Sequence, residues 1–147
     1  MQGIPASRGN ATITWLEFPP PFTVVLADDQ RAYREGLARA IAQHCRLELV
    51  AVVARGDEAV QVIESLRPDV ALIDVRMGGL LGTGVCELLR ERHPDLPTRL
   101  VLMSADGTSA IESEPGVDGF VAKDRSRREI CEALVQAAQR SRVLTTR

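Results

Sequence analysis

Four short apolar runs each end in a side chain able to bind or react. Asp28 and Asp29 close Thr23–Ala27, Asp74 closes Val70–Ile73, Ser104 closes Leu100–Met103, and Lys123 follows Gly119–Ala122. Parallel α/β sheets bind ligands beyond the carboxyl ends of their strands. If the runs are strands of one sheet, three carboxylates, a hydroxyl and an ammonium meet in one crevice. That set suits a divalent cation and a phosphoryl group. Mg²⁺ prefers oxygen ligands and keeps several waters. Carboxylates from two neighbouring strand ends, with one backbone carbonyl, would hold it and leave room for a phosphate oxygen. Crowded carboxylates repel, so at least one should titrate abnormally high without metal. Asp74, alone at its strand end, is the candidate nucleophile and would form an acyl phosphate. Phosphoryl transfer then needs positioning and charge neutralisation, which the Lys123 ammonium and Ser104 hydroxyl can supply.

The elements that must position these groups alternate along the chain. Arg31 to His44 sets Tyr33, Leu37, Ala40, Ile41 and His44 on one helical stripe. Leu47 to Ala54 reads as a buried strand. Gly56-Asp57 opens a helix with Ala59, Val62, Ile63 and Leu66 inward, and Pro68 lies past its end. Gly78, Gly79, Gly82 and Gly84 make a flexible loop before a helix that Thr83 can cap. A last helix starts near Ser126 with Ile130, Leu134, Ala137 and Ala138 inward. Such βα alternation implies a doubly wound parallel sheet. The crossover between Ser104 and Gly119 is weak: Thr108 to Glu114 allows about two turns, with Ala110 and Ile111 as its apolar positions.

Gross properties narrow the function classes. The 147 residues fit one domain with a real core. A net charge of -2 gives no global pull toward nucleic acid. One Trp, one Tyr and three Phe argue against stacking platforms for single-stranded nucleic acid. Cys45, Cys86 and Cys131 are odd in number and lack a CxxC pair, which argues against a disulfide frame or a zinc site. No apolar run approaches the roughly 18 residues that span a membrane. Residues 1–22, with Pro19-Pro20-Pro21, read as an arm outside the fold, 23–140 as the folded unit and 141–147 as a tail or linker stub.

At the reactive residues the stretches VVLADDQ, VALIDVRMGGLLG, LVLMSAD and GVDGFVAKD resemble the receiver domain of two-component response regulators, of the NarL/FixJ-like, LuxR-family type. The resemblance covers residues 23 to about 140. It implies a flavodoxin-like, doubly wound five-stranded parallel sheet of order 2-1-3-4-5 with five helices, the fourth here shortened or irregular. It implies that Asp28 and Asp29 bind Mg²⁺, that Asp74 is the phosphoacceptor and that the Arg76 carbonyl completes the protein ligands. Ser104 takes the switch hydroxyl position, Phe120 the switch aromatic position and Lys123 the lysine position. A sensor histidine kinase is the implied phosphodonor, the location cytoplasmic, and DNA is reached through an output domain that nothing in this chain resembles. A homodimer is compatible with this reading.

The chain departs from the family at three places. Met77-Gly78-Gly79 replaces the common Met-Pro-Gly, which should loosen the loop. Asp124 follows Lys123 where many relatives carry a cis-bonded proline. Ser104 and Lys123 are 19 positions apart, shorter than is usual, and the shortfall falls in the weak crossover. An alternative is therefore an atypical receiver that serves as a phosphorylation-independent interaction module. A phosphatase of the haloacid dehalogenase type would want an acid where Arg76 stands. A flavodoxin would want a hydroxyl- and Gly-rich loop where Asp28-Asp29-Gln30-Arg31 stands. Arg76 and Asp106, each two positions past a site residue, could pair across the mouth of the site and screen an acyl phosphate from water.

Overall fold

The apolar runs become five strands because Val, Leu and Ile suit a pleated surface covered on both faces. The structure, a computed structural model, describes residues 19–105 and 114–146. The strands are β1 (Phe22–Ala27), β2 (Leu47–Val53), β3 (Val70–Asp74), β4 (Arg99–Ser104) and β5 (Gly119–Ala122). The described helices are α1 (Arg31–Gln43), α2 (Gly56–Leu66), α3 (Gly82–Arg92) and α4 (Arg127–Thr146). All strand pairs are parallel, in the order β2-β1-β3-β4-β5. The expected sheet and order are therefore present. The weak crossover helix, Asp106 and most of the N-terminal arm lie outside the described residues.

Register aligns the reactive ends. Ala27 pairs with Ile73, Asp74 with Met103 and Ser104 with Ala122. Asp28, which follows Ala27, therefore stands at the level of Asp74, and Lys123, which follows Ala122, stands one step past Ser104. All five residues of β3 are buried. On one face, Leu26, Leu72 and Met103 pack with Leu37, Ile41, Ile130 and Leu134 from α1 and α4. On the other, Val25, Ile73 and Leu102 pack with Ile63, Val85 and Leu89 from α2 and α3. Each such side chain contributes about 1.5–3 kcal/mol on burial. This two-sided cover holds the sheet ends rigid beneath the crevice.

Helix details differ from the sequence reading in instructive ways. In α2, Val60 is buried while Leu66 is 48% exposed, because the inward stripe drifts off the sheet by the last turn. Helix α3 starts one residue before Thr83, with Leu81 at its N-cap and no side-chain cap. Gly82 fits this start: a Cβ there would run into the Asp74 carbonyl. Helix α4 does begin as expected. Ser126 N–H donates to Glu129 Oε1 at 3.0 Å, and Glu129 N–H donates to Ser126 Oγ at 3.1 Å, a reciprocal capping box. The helix runs on through Thr146.

At the opposite end of the sheet, Arg90 on α3 ties the neighbouring turns together. It donates to Leu96 O at 2.7 Å and Thr98 O at 3.0 Å and pairs with Asp118. Asp118 also accepts the Leu100 N–H at 2.8 Å and pairs with Arg99 at 3.4 Å. Among the described residues no helix is long and apolar enough to cross a membrane.

Candidate functional site

The three acids do converge. Asp28, Asp29 and Asp74 each offer an oxygen within 4.8 Å of the others, with Asp28 and Asp74 buried and Asp29 exposed. Asp28 is held as a rigid continuation of β1. Its N–H donates to Val53 O at 3.1 Å, and its carbonyl accepts from Arg34 Nη1 at 3.0 Å. Its Oδ1 accepts the Gln30 N–H at 2.8 Å, which fixes the turn into α1. Gln30, not an aspartate, is the N-cap of α1, so the acid pair is free of the capping task that such residues often perform.

Lys123 spans the cluster. Its Nζ lies 2.9 Å from Asp28 Oδ2 and 3.0 Å from Asp74 Oδ2, where it donates a hydrogen bond. The Asp28 contact lacks hydrogen-bond alignment and is charge pairing. The side chains are 8%, 0% and 6% exposed for Lys123, Asp28 and Asp74, so little solvent screens them. Burial pushes Asp74 up to about 6. The Lys123 hydrogen bond pulls it back, and the Asp28 charge adds to the rise. One carboxyl of the cluster is thus raised as expected, with burial rather than crowding as the main cause. Burial alone would lower Lys123, but its two carboxylate partners leave it raised.

Ser104 is buried at the end of β4, and its carbonyl accepts the Lys123 N–H at 2.9 Å. The two residues are thereby locked across β4 and β5. Asp29, Gln30, Asp74, Arg76, Ser104, Ala105 and Lys123 line a cavity of about 250 Å³. Arg76 N–H donates to Asp74 Oδ1 at 3.3 Å. The expected Arg76–Asp106 pair lies outside the described residues. Phe120 is half-buried and lines a second hollow of about 310 Å³ between β5 and α4, with Arg125, Glu129 and Ala133. The Lys123–Asp124 step needs no special geometry: no peptide bond among the described residues is cis.

The glycine loop after β3 is tied down rather than slack. Gly56 N–H donates to Gly78 O at 2.9 Å, and Arg55 bridges Gly78 in parallel fashion. Gly79, at φ +84, sits against Arg55 and Asp57, whose side chains pair at 3.1 Å. A Cβ at Gly56 would meet the Leu80 carbonyl. Glycine here permits a close backbone approach that joins this loop to the start of α2.

Two residues that pattern reading did not assign to the site belong to it. Gln30 Oε1 accepts from Lys123 Nζ at 2.8 Å. Its place next to the acid pair was the signal. The Tyr33 ring centroid lies 4.6 Å from the same ammonium. Nothing local marks Tyr33, since it meets Lys123 across 90 positions of sequence.

The family described as response regulator receiver domain matches residues 24–135. The signal receiver domain of the response regulator NarL from Mycobacterium tuberculosis is 36% identical, with a TM-score of 0.77 over 82% of this chain and 98% of that one. A DNA-binding response regulator of the LuxR family from Staphylococcus aureus is 25% identical, with a TM-score of 0.72 over 80% of this chain and 98% of that one. The nitrate/nitrite response regulator protein NarL of Escherichia coli strain K12 is 32% identical over 130 residues, 85% of this chain and 58% of that protein. The chain spans about half the length of the curated relatives it matches.

Proposed function

The chain belongs to the response regulator receiver domain family, and on that premise we propose that it accepts a phosphoryl group on Asp74 from a sensor histidine kinase and changes conformation to control an output. The observation that carries this reading is the meeting of Asp28, Asp29 and Asp74 within 4.8 Å, with Lys123 paired to two of them. An Asp74 oxygen forms the new bond to phosphorus as the phosphohistidine P–N bond breaks. The departing imidazole takes a proton from water. Lys123, 3.0 Å from Asp74 Oδ2, is placed to follow the phosphoryl oxygens, and Ser104 lines the same cavity.

The donor set fits Mg²⁺: hard oxygens, two carboxylates just past β1 and one at the end of β3, with one neighbouring ammonium. Asp28, Asp29, Asp74 and the Arg76 carbonyl would hold it. When bound, Mg²⁺ supplies charge neutralisation to the carboxylates and the phosphoryl oxygens. Phe120, beside open space between β5 and α4, is the aromatic that would report the change by exchanging rotamers. Arg76 and Asp106 would screen the acyl phosphate at the mouth; unchanged lifetimes in both Arg76→Ala and Asp106→Ala would sink that part.

The reading is of a phosphoacceptor that assists its own phosphorylation and dephosphorylation, not of a turnover enzyme. The name of one relative, a transcriptional regulatory protein, supports transcription as the output, and that of a DNA-binding response regulator supports DNA as its target; a cytoplasmic location belongs to the same reading. A phosphorylation-independent module is not favoured, since it would leave a complete acid, lysine and hydroxyl set without a task. The test is incubation with acetyl phosphate and Mg²⁺, followed by mass spectrometry. One phosphoryl adduct is expected, absent from Asp74→Ala and after EDTA. An unlabelled wild type at saturating donor, or a labelled Asp74→Ala, overturns the reading.

A further inference from the structure

Lys123 is held at both ends by one residue of α1. The face of the Tyr33 ring lies under its ammonium, with 4.6 Å from Nζ to the centroid. The Tyr33 hydroxyl donates to the Lys123 carbonyl at 3.3 Å, with Met103 Sδ at 3.6 Å as a neighbouring acceptor. Tyr33 is itself fixed by packing against the core that Leu37, Ile41 and Met103 share. A lysine ammonium on a four-carbon stem is otherwise free to rotate. Its other partners are Asp28, Asp74 and Gln30.

These partners differ in what happens when the site is used. The two carboxylates turn toward a cation, and Asp74 becomes an acyl phosphate. The ring face is an electron-rich partner that neither event alters, and an ammonium over such a face is attracted within about 6 Å. From this geometry we propose that Tyr33 is a positioning residue, a π seat that keeps Lys123 aimed at the phosphoryl group once its carboxylates are engaged. The inference rests on the reading of Asp74 as phosphoacceptor and adds a specific part to it. Tyr33 is not itself one of the residues that line the cavity, and it meets the site through Lys123.

The experiment compares wild type with Tyr33→Leu, which removes the π face, and Tyr33→Phe, which keeps it and loses the hydroxyl. Tyr33→Met, flexible enough to fill the seat, serves if the Leu variant unfolds. Phosphorylation by acetyl phosphate is followed over donor concentration at saturating Mg²⁺. The limiting rate is expected to fall about fivefold in Tyr33→Leu, equivalent to about 1 kcal/mol, and to stay within about twofold of wild type in Tyr33→Phe. Mg²⁺ affinity should be equal in all three. A Leu variant as fast as wild type, or a Phe variant as slow as Leu, overturns the seat. A wild type that is not labelled at all overturns the reading of Asp74 instead, so the two failures are distinct.

Discussion

Replacing Lys123 by Met keeps the apolar stem and removes the charge that Asp28 and Asp74 share. At an effective dielectric near 20, two unit charges about 3 Å apart attract by roughly 5 kcal/mol before desolvation is counted. The ammonium makes two such pairs, at 2.9 and 3.0 Å, with side chains no more than 8% exposed. Breaking a buried pair by removing one partner costs about 3–5 kcal/mol net. Water can enter the 250 Å³ cavity once the side chain is shortened, so the low end, about 3 kcal/mol, is expected at pH 8 in EDTA. For a chain near this length that corresponds to a Tm lower by roughly 6–12 °C. The deficit must depend on pH. Asp74 already stands at about 6 against 3.8 for a free carboxyl, and losing its lysine raises it further. A carboxyl raised in the folded state holds a proton there that the unfolded chain releases. Stability is therefore regained as pH falls through the folded value, and wild type regains less of it. Thermal melts in EDTA should show the gap between variant and wild type about halved at pH 5. Added Mg²⁺ should narrow the gap at pH 8. Equal gaps at both pH values, or a larger gap at pH 5, would refute the argument that Lys123 acts by neutralising Asp28 and Asp74.

Three other outcomes are expected. Asp118→Ala leaves Arg90 and Arg99, both about one-fifth exposed, without their shared carboxylate; urea melts should show about 2–4 kcal/mol lost, with acetyl phosphate labelling unchanged because the staple lies at the far end of the sheet. Gly56→Ala forces a methyl onto the Leu80 carbonyl and should cost about 1–3 kcal/mol while weakening Mg²⁺ binding several-fold, read by calorimetry, because the displaced loop carries the Arg76 carbonyl. Of the thiols, Cys45 is exposed, while burial pushes Cys86 up to about 12 and also raises Cys131; a thiol reagent at pH 8 should label Cys45 quickly and the other two only in denaturant.

The strand-end acids could be read from sequence because each is a local event, an apolar run halted by one polar residue. The sheet order came with the family resemblance, and the register then placed the ends at one level. What escaped reading depends on distance. The Arg90–Asp118 pair joins residues 28 positions apart, and Tyr33 meets Lys123 across 90. The expected slack in Gly78-Gly79 was a correct account of glycine alone; the bridge from Arg55 and Gly56 supplied the order from a different loop. Leu66 looked inward because helical phase was extended one turn beyond the sheet it packs on.

The ordering of the strands has a consequence for synthesis on the ribosome. β3 is central to the sheet, yet the charge that neutralises its last residue is carried by Lys123, which leaves the ribosome far later. An emerging chain that has folded β1 to β3 holds Asp28, Asp29 and Asp74 without their cation and without the wall of β4. The full set of Asp28, Asp29, Asp74 and Lys123 is therefore assembled only once β5 has been made and paired.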